Sequence, residues 1–427
     1  MINSLEVFLW DKKVGTLVTN KNEYKETILF YFDTEFPKNN WDIAPLRASI
    51  HSNSVKNGFP IHPDSDKIFG GLPSFIANSL PDHWGATVFR EWAMNQGIRM
   101  KRLNALDRLA YIGSRGMGAL EFRPPSAPRL ESSFSVQIQS LYELAGKTLE
   151  AANKLRISLS PDFHIENLFK VGTSAGGKRP KAILNMNFET GECLSGQAPA
   201  PSSDFTPVII KFDERLKLPT TRIEYSYYLL ARAFEMNMMS SKLITIDGFT
   251  HFITERFDRA GSEKFHVQTL AALQPSADSY EELFEVAVSL NVPKKDVIQI
   301  FMAMVMNVVF RNVDDHSKNF SFIMDKEGAW RFAPVYDFTF TLDWEAPDYV
   351  NRHSLSINGE FEDISEKDLL EVARRYDIPN PSSIIRKALG LVEKYPDFAR
   401  EAGIDTSIAD SLHSHFNLLS APNPRKI

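Results

Sequence analysis

The chain contains one cysteine, Cys193, among its 427 residues. A single thiol cannot form an intramolecular disulfide, which excludes the small secreted scaffolds that depend on such cross-links. Sparse cysteine is typical of proteins that fold in the reducing cytosol. With 43% hydrophobic residues the chain can bury a large apolar core, and its length predicts two or three domains.

Excess positive charge and long apolar segments are also missing. The net charge is −6 and the pI is about 6.0, unlike the concentrated basic surface of a free-standing DNA-binding protein. The longest apolar run, Val297 to Phe310, contains Gln299 and Asn307 and is too short for a membrane span. The N-terminus lacks the basic-then-apolar build of a signal peptide. We therefore expect a soluble, cytoplasmic protein with no membrane partner.

The order of predicted strands and helices indicates three regions. Alternating apolar residues in LEVFLW and TLVT, separated by a turn at DKKVG, predict a β-hairpin at 5–18. A Pro- and Ser-rich stretch at 124–135 marks the first boundary. The predicted fold class is α+β, with a β/α module at 1–125, a β-rich lobe at 126–259 and a helical lobe at 260–427.

Two segments of the helical lobe have the polar residues of a phosphoryl-transfer site, NVDDHSKNF at 312–320 and PVYDF at 334–338. The Asp314 carboxylate can take the proton of an attacking hydroxyl, so we assign it as the catalytic base. The Asn319 amide oxygen and the Asp337 carboxylate are hard ligands suited to Mg²⁺ on ATP phosphates. Such polar residues between two apolar segments are costly to fold unless they have a function.

Three neighbouring residues have secondary or alternative roles. Lys318 could stabilise the charge that develops on the γ-phosphate. His316 is predicted to orient Asp314 or a nearby carbonyl, and Asp315 could exchange roles with Asp314. A His/Asp metal site of the hydrolase kind is an alternative, although no His pair has ligand spacing. A charged turn without function is the remaining alternative.

The β-rich lobe has residues that could bind a nucleotide. A glycine-rich turn at 172–177 could hold phosphates with its backbone N–H groups, although ordinary hairpins also have such turns. Lys211 lies in the apolar strand VIIKF, and Glu224 begins the following helix, which is the order of the lysine–glutamate pair in kinases. Alternatively, Lys211 extends to water and Glu224 only complements the helix dipole.

The segment Glu255-Arg256-Phe257-Asp258-Arg259 ends a predicted strand before the helical lobe. At this position in a two-lobed kinase, backbone N–H and C=O groups meet the adenine edge. Asp258 could then reach a ribose hydroxyl. A surface cluster of ion pairs at a strand end is the alternative.

With these motifs in place, the chain resembles the HipA-type serine/threonine kinases, the toxins of bacterial toxin–antitoxin pairs. The matching segments are LPDHWG at 80–85, LDRLAYIGSRGMGALEF at 106–122, TSAGGKRPKA at 173–182, VIIKF at 208–212, ITERFDR at 253–259, NVDDHSKNF at 312–320 and PVYDF at 334–338.

The resemblance implies a two-lobed protein-kinase-like fold with an extra N-terminal module, and ATP and Mg²⁺ as cofactors. It implies that Asp314 is the catalytic residue, that Asn319 and Asp337 bind Mg²⁺, and that His316 lies near the phosphates. It also implies a nucleotide site made of Lys211, the backbones of Glu255 and Phe257, and the phosphate loop Thr173, Ser174, Ala175, Gly176 and Gly177. In relatives a serine of this loop is autophosphorylated, which here corresponds to Ser174 or Thr173.

The resemblance further implies two protein partners. One is a HipB-like helix-turn-helix antitoxin, through which the chain would contact DNA indirectly. The other is a protein substrate in translation, such as an aminoacyl-tRNA synthetase. Two other functions stay open at this point: a small-molecule kinase of the same fold, and a catalytically silent subunit of a repressor complex.

Overall fold

The computed structural model describes the chain except for residues 1, 22–25, 66, 82, 96, 98–102, 125–134, 154–178, 197, 215, 344–350 and 420–427. Its described residues form two compact units. The first unit combines Met1–Glu214, Ile244–Gln268 and Met324–Gly328. The second unit combines Arg215–Leu243, Thr269–Ile323 and Ala329–Ile427. The three-domain division of the sequence stays a prediction.

The first unit begins with an antiparallel sheet of four strands in the order β3-β2-β1-β4. These are β1 (Ser4–Leu9), β2 (Lys12–Lys21), β3 (Glu26–Phe32) and β4 (Leu120–Arg123). Leu5, Val7 and Leu9 of β1 are buried, because alternate side chains of a strand point to the same face. The predicted hairpin is confirmed. Its turn is formed by Trp10 and Asp11, both with positive φ. The turn therefore begins one residue before the predicted DKKVG segment, and the rest of that segment belongs to β2.

Helices follow between β3 and the second sheet of this unit. They are α1 (Pro45–Ala48), α2 (Asn53–Lys56), α3 (Ser74–Ala77), α4 (His83–Asn95), α5 (Ala105–Ile112) and α6 (Ile138–Asn153), with 3₁₀ turns at Phe36–Asn39 and Lys67–Phe69. A capping box begins α5. The Asn104 side chain accepts from the Asp107 N–H at 3.0 Å, and Asp107 accepts from the Asn104 N–H at 2.9 Å.

A five-stranded sheet has the order β6-β5-β7-β9-β8. Its strands are β5 (Lys181–Met186), β6 (Cys193–Ser195), β7 (Thr206–Lys211), β8 (Ser241–Ile246) and β9 (Phe249–Glu255). β7 is antiparallel to both β5 and β9, so the predicted apolar strand lies in the middle of the sheet. Arg259–Ala260 (β10) and Glu263–Lys264 (β11) form a hairpin, followed by β12 (His266–Thr269).

The second unit is mainly helical. Its helices are α7 (Thr220–Ala233), α8 (Leu270–Leu273), α9 (Tyr280–Ser289), α10 (Lys294–Val309), α11 (Glu366–Arg375), α12 (Pro381–Val392), α13 (Tyr395–Glu401) and α14 (Thr406–Ser414), with strands β13 (Ser321–Met324) and β14 (Trp330–Phe332). Every residue of α10 from Ile300 onwards is buried, as the apolar run predicted. Both units together confirm the α+β class.

Asp296 joins the first turn of α10 to β14. Its carboxylate accepts from Arg331 Nε at 2.6 Å and from the Phe332 N–H at 3.1 Å. A carboxylate near a helix N-terminus also interacts favourably with the helix dipole. No helix in the described part of the chain is both long and apolar enough to cross a membrane.

Candidate active site

The candidate catalytic loop, residues 310–320, connects the buried helix α10 to β13. Arg311 adopts a left-handed backbone (φ 56°), which ends the helix. The Asn312 N–H then donates to the Asn307 carbonyl of the last helical turn at 3.0 Å. The apolar helix therefore fixes where the loop begins.

Asp314 has an exposed carboxylate on a fixed backbone. Its side chain is 64% exposed. Its N–H and that of Val313 both donate to Thr341 Oγ1, at 3.0 and 2.7 Å. Its carbonyl accepts from Asn319 Nδ2 at 2.8 Å. The contacts of Asp314 thus hold its main chain and leave the carboxylate open to a substrate.

Asp315, the next residue, is fully buried. Its Oδ2 accepts from Tyr280 Oη at 2.8 Å and lies 2.7 Å from His353 Nδ1, while Oδ1 accepts from the Ser354 N–H at 2.7 Å. Three partners occupy this carboxylate inside the second unit. Asp315 is therefore placed to support the loop, and Asp314 is the carboxylate that a substrate can reach.

A buried polar chain continues from Asp315 to the backbone of Asp314. Tyr280 Oη accepts from Asn307 Nδ2 at 2.9 Å, and Asn307 Oδ1 accepts from Asn312 Nδ2 at 2.9 Å. Asn312 Oδ1 in turn accepts from Thr341 Oγ1 at 3.3 Å. Burial, reinforced by the Asp315 charge, raises the pKa of Tyr280 well above its usual value, so the phenol stays a donor.

The predicted Mg²⁺ ligands have chemistry that fits the ion. The Asn319 amide nitrogen is engaged by the loop, and its Oδ1 has no hydrogen-bond partner among the described residues. Asp337 is half-buried and adopts a left-handed backbone (φ 51°), which non-glycine residues seldom adopt. Mg²⁺ in phosphoryl-transfer sites is typically held by one or two such oxygens, with water and phosphate completing the shell. Within the described ranges, no group of three or more His, Cys, Asp or Glu residues could hold a metal.

Tyr336 joins the segment that carries Asp337 to the catalytic loop. Its hydroxyl donates to the Lys318 carbonyl at 2.8 Å and lies 2.6 Å from Ser321 Oγ. The Lys318 side chain is exposed. His316 Nε2 lies 3.9 Å from Asp314 Oδ1, which is beyond hydrogen-bond distance. The predicted orienting role of His316 therefore rests on proximity alone.

The predicted nucleotide-binding residues lie on both units. Lys211 ends β7 in the first unit, half-buried, with Nζ 6.0 Å from the centre of the Phe252 ring. Glu255 ends β9 and is half-buried, as is Phe257. Glu224 is buried on α7 of the second unit. The phosphate loop, residues 173–177, lies outside the described residues.

Asp258 has an environment unlike the predicted one. Its carboxylate is fully buried and accepts from Arg256 (2.9 and 2.8 Å), Arg259 (2.7 Å) and the Gly118 N–H (2.7 Å). Burial alone would raise the pKa of Asp258, but the two guanidinium groups hold it well below its usual value. These contacts occupy both oxygens, and they do not support the predicted hydrogen bond to a ribose.

Three residues that hold Asp315 and the loop backbone were not predicted from the sequence, namely Tyr280, Thr341 and His353. Asn307 was noticed only as an interruption of an apolar run. The signal available in the sequence was a polar residue inside an otherwise apolar run. A buried side-chain amide needs a hydrogen-bond partner, so such a residue indicates a buried polar contact.

Two family models match this chain. The model described as the HipA-like C-terminal domain matches residues 173–405, and that of the HipA N-terminal domain matches residues 5–123. The serine/threonine-protein kinase toxin HipA of Shewanella oneidensis MR-1 is 22% identical over 343 residues, 72% of each chain. Y4mE of Sinorhizobium fredii is 24% identical over 199 residues, 43% of this chain and 45% of that protein, so the chain covers less than half of this relative.

A solved complex of Shewanella oneidensis HipA, HipB and operator DNA gives the structural comparison. The TM-score is 0.65 at 18% sequence identity, and the match covers 96% of this chain and 94% of that chain. At this identity the likeness shows the fold alone. The predicted kinase-like fold and the predicted HipA resemblance are both confirmed.

The adjacent residues Asp314 and Asp315 give a matched test of the buried polar chain. We expect Asp315→Ala to lower the free energy of unfolding by about 3 kcal/mol, because it leaves buried donors without an acceptor. Asp314→Ala should change it by less than about 0.5 kcal/mol, since that carboxylate is exposed. Urea unfolding of the two variants measures both values, and equal losses would contradict the assignment.

Proposed function

This chain belongs to the HipA family, and on that premise we propose that it is an ATP- and Mg²⁺-dependent protein serine/threonine kinase that acts as the toxin of a toxin–antitoxin pair. The observation that carries the proposal is the exposed Asp314 carboxylate on a loop whose backbone is held by the buried polar chain. A pre-positioned carboxylate that remains accessible is what general-base chemistry requires.

Asp314 would receive the proton of a serine or threonine hydroxyl as that oxygen attacks the γ-phosphate. Asn319 Oδ1 and the Asp337 carboxylate would hold Mg²⁺, which in such sites neutralises charge on the phosphates. Lys318, exposed on the same loop, would stabilise negative charge on the transferred group. His316 would move from its 3.9 Å position to a hydrogen bond with Asp314 once substrate is bound.

The first unit would supply the nucleotide-binding groups. The ammonium of Lys211, a half-buried residue, would pair with phosphates, a role that suits a compact charge on a flexible stem. Backbone groups of Glu255 and Phe257 would meet the adenine edge, and the nucleotide-site role of Glu224 stays a prediction. The glycine-rich loop would bind phosphates through the N–H groups of Ala175, Gly176 and Gly177.

The proposed substrate is a translation component such as an aminoacyl-tRNA synthetase, which places the activity in the cytoplasm. The proposed partner is a HipB-like helix-turn-helix antitoxin, supported by the described composition of the similar complex. The net charge of −6 agrees with DNA contact through the antitoxin rather than through this chain.

The first test is phosphoryl transfer by Asp314→Ala. Purified protein is incubated with γ-labelled ATP, Mg²⁺ and a bacterial lysate, beside the variant and an exposed control, Glu362→Ala. We expect label on a discrete lysate protein with wild type and control, and at least a hundredfold loss with Asp314→Ala. Thermal stabilisation by Mg·ATP should persist in the variant.

Each other outcome favours a different function. Undiminished transfer by Asp314→Ala would remove it as the base. ATP binding without any labelled protein would favour a small-molecule kinase. The lack of nucleotide-dependent stabilisation would favour a silent subunit of a repressor complex.

Asp337 can be tested without disturbing its backbone. Asparagine tolerates the left-handed region as aspartate does, so Asp337→Asn removes the charge and retains the local shape. We expect the affinity for Mg·ATP, measured by calorimetry with a non-hydrolysable analogue, to fall about tenfold or more. Asp337→Ala should weaken it further. An unchanged affinity in both variants would exclude Asp337 as a metal ligand.

We also propose that the kinase phosphorylates its own phosphate loop on Ser174 or Thr173. A phosphate there adds nearly two negative charges where ATP phosphates would bind, which would inhibit the enzyme. Ser174→Ala combined with Thr173→Ala should abolish the modified loop peptide in mass spectrometry after incubation with ATP. Modification elsewhere in the chain of the double variant would relocate the site.

A further inference from the structure

The first unit contains a cavity of about 460 Å³, and none of the described residues assigned to phosphoryl transfer lines it. We call it the basic pocket, after the four cationic side chains on its wall: Arg115, Arg256, Arg259 and Lys264. Its volume lies within the range of small-molecule sites, about 300–1,000 Å³.

The basic pocket has more positive than negative charge. Two carboxylates accompany its four cations, Glu121 on the wall and Asp258 behind it. The formal excess is therefore two positive charges. A cavity with an excess of one sign and low-dielectric walls attracts ligands of the opposite sign.

Several N–H groups of these cations donate hydrogen bonds to neutral backbone carbonyls. Such bonds orient the cationic side chain without neutralising its charge. Lys264 Nζ donates to the Ser114 carbonyl and to Glu121, both at 2.9 Å. Arg259 donates to the Gly116 and Gly118 carbonyls, both at 3.1 Å. The cations are consequently fixed in place before any ligand arrives.

The cations also destabilise one another. Burial lowers the pKa of Arg259 to about 10, and the charge of Arg256 contributes in the same direction. Burial lowers the pKa of Lys264 too. The paired Glu121 carboxylate raises it, and the charges of Arg259 and Arg256 lower it further. An anion between these groups would relieve the repulsion.

A small-residue part of the wall is largely apolar and is formed by Gly196, Ala198, Pro199, Ala200, Pro207 and Gly261, while Ser114, Asn185 and Ser262 complete the described lining. Asn185 Nδ2 fixes part of it by donating to the Ser195 and Ala198 carbonyls, at 3.3 and 3.1 Å. Small side chains leave room for the body of a ligand beside its charged group. The cavity is thus larger than a free phosphate ion needs.

We propose that the basic pocket binds a small phosphate monoester, with the phosphate against the arginines and Lys264 and the organic body against the small-residue wall. Guanidinium groups bind phosphate oxygens with paired, charge-assisted hydrogen bonds, and a dianion matches the excess of two charges. The ligand would contact residues from two segments of the pocket. Residues 114–121 lie in the region matched by the HipA N-terminal domain, and residues 185–264 lie in the region matched by the C-terminal domain.

Ser262 offers a test that changes charge alone. It lines the pocket and is exposed on the turn between β10 and β11, so both Ser262→Glu and Ser262→Gln should fold. The two side chains are nearly equal in size and differ in charge. The probes are ribose 5-phosphate, inorganic phosphate and neutral ribose, measured by calorimetry at matched ionic strength and with a saturating non-hydrolysable Mg·ATP analogue to fill the nucleotide site.

We expect ribose 5-phosphate to bind wild type and Ser262→Gln alike and Ser262→Glu about tenfold more weakly, because the added carboxylate opposes the phosphate. Ribose should not bind, and inorganic phosphate should bind more weakly than the ester. Equal affinity of the two variants, binding lost when the ATP analogue is present, or no binding at all would each overturn the proposal. Equal affinity for phosphate and ester would overturn the organic part of the site.

A second pair of variants removes charge. Lys264→Gln should weaken binding of ribose 5-phosphate, and Glu121 then still has its 3.1 Å bond to Arg123. Lys326→Gln, on the exposed pair with Glu263, is the control of the same charge change outside the pocket. Equal effects of the two substitutions would indicate general electrostatic attraction and contradict a localised site.

Discussion

Burial of the Asp315 carboxylate is the constraint on which the candidate active site depends. An ionisable side chain inside a protein is tolerated only when donors satisfy it, and Asp315 has three such partners. These partners come from α9 and from the segment after residue 350, so one side chain brings three distant parts of the second unit together. The candidate catalytic loop is consequently held by three contacts at the residue next to Asp314.

The contrast between Asp314 and Asp315 shows how the loop divides two tasks between identical side chains. One carboxylate is buried and serves the fold, while the other is exposed and available for chemistry. Thr341 completes the arrangement because its hydroxyl oxygen accepts hydrogen bonds from two consecutive backbone N–H groups of the loop. Preorganisation of this kind places the cost of ordering the site in folding rather than in catalysis.

Local patterns in the sequence were sufficient to predict the main elements, and they also marked the residues of the candidate site. Alternation predicted β1, apolar runs predicted β7 and α10, and the spacing of polar residues marked Asp314 and Asn319 as candidates. The sequence could not distinguish Asp314 from Asp315, because their difference is set by residues such as His353 that are remote in the chain. The full burial of Asp258 was likewise not visible in the sequence, since only its partners Arg256 and Arg259 are local and Gly118 belongs to another segment.

The division of the chain between the two units has a consequence for biosynthesis. Each unit is discontinuous: the first needs residues 244–268 and 324–328, which are made after the second unit has begun. Neither unit can therefore be completed on the ribosome in the simple N-terminal-first order of separate domains. A nascent chain that stops before residue 324 lacks part of both units. Synthesis must pass that point before the protein can have a complete fold, so the candidate active site is completed only late in translation.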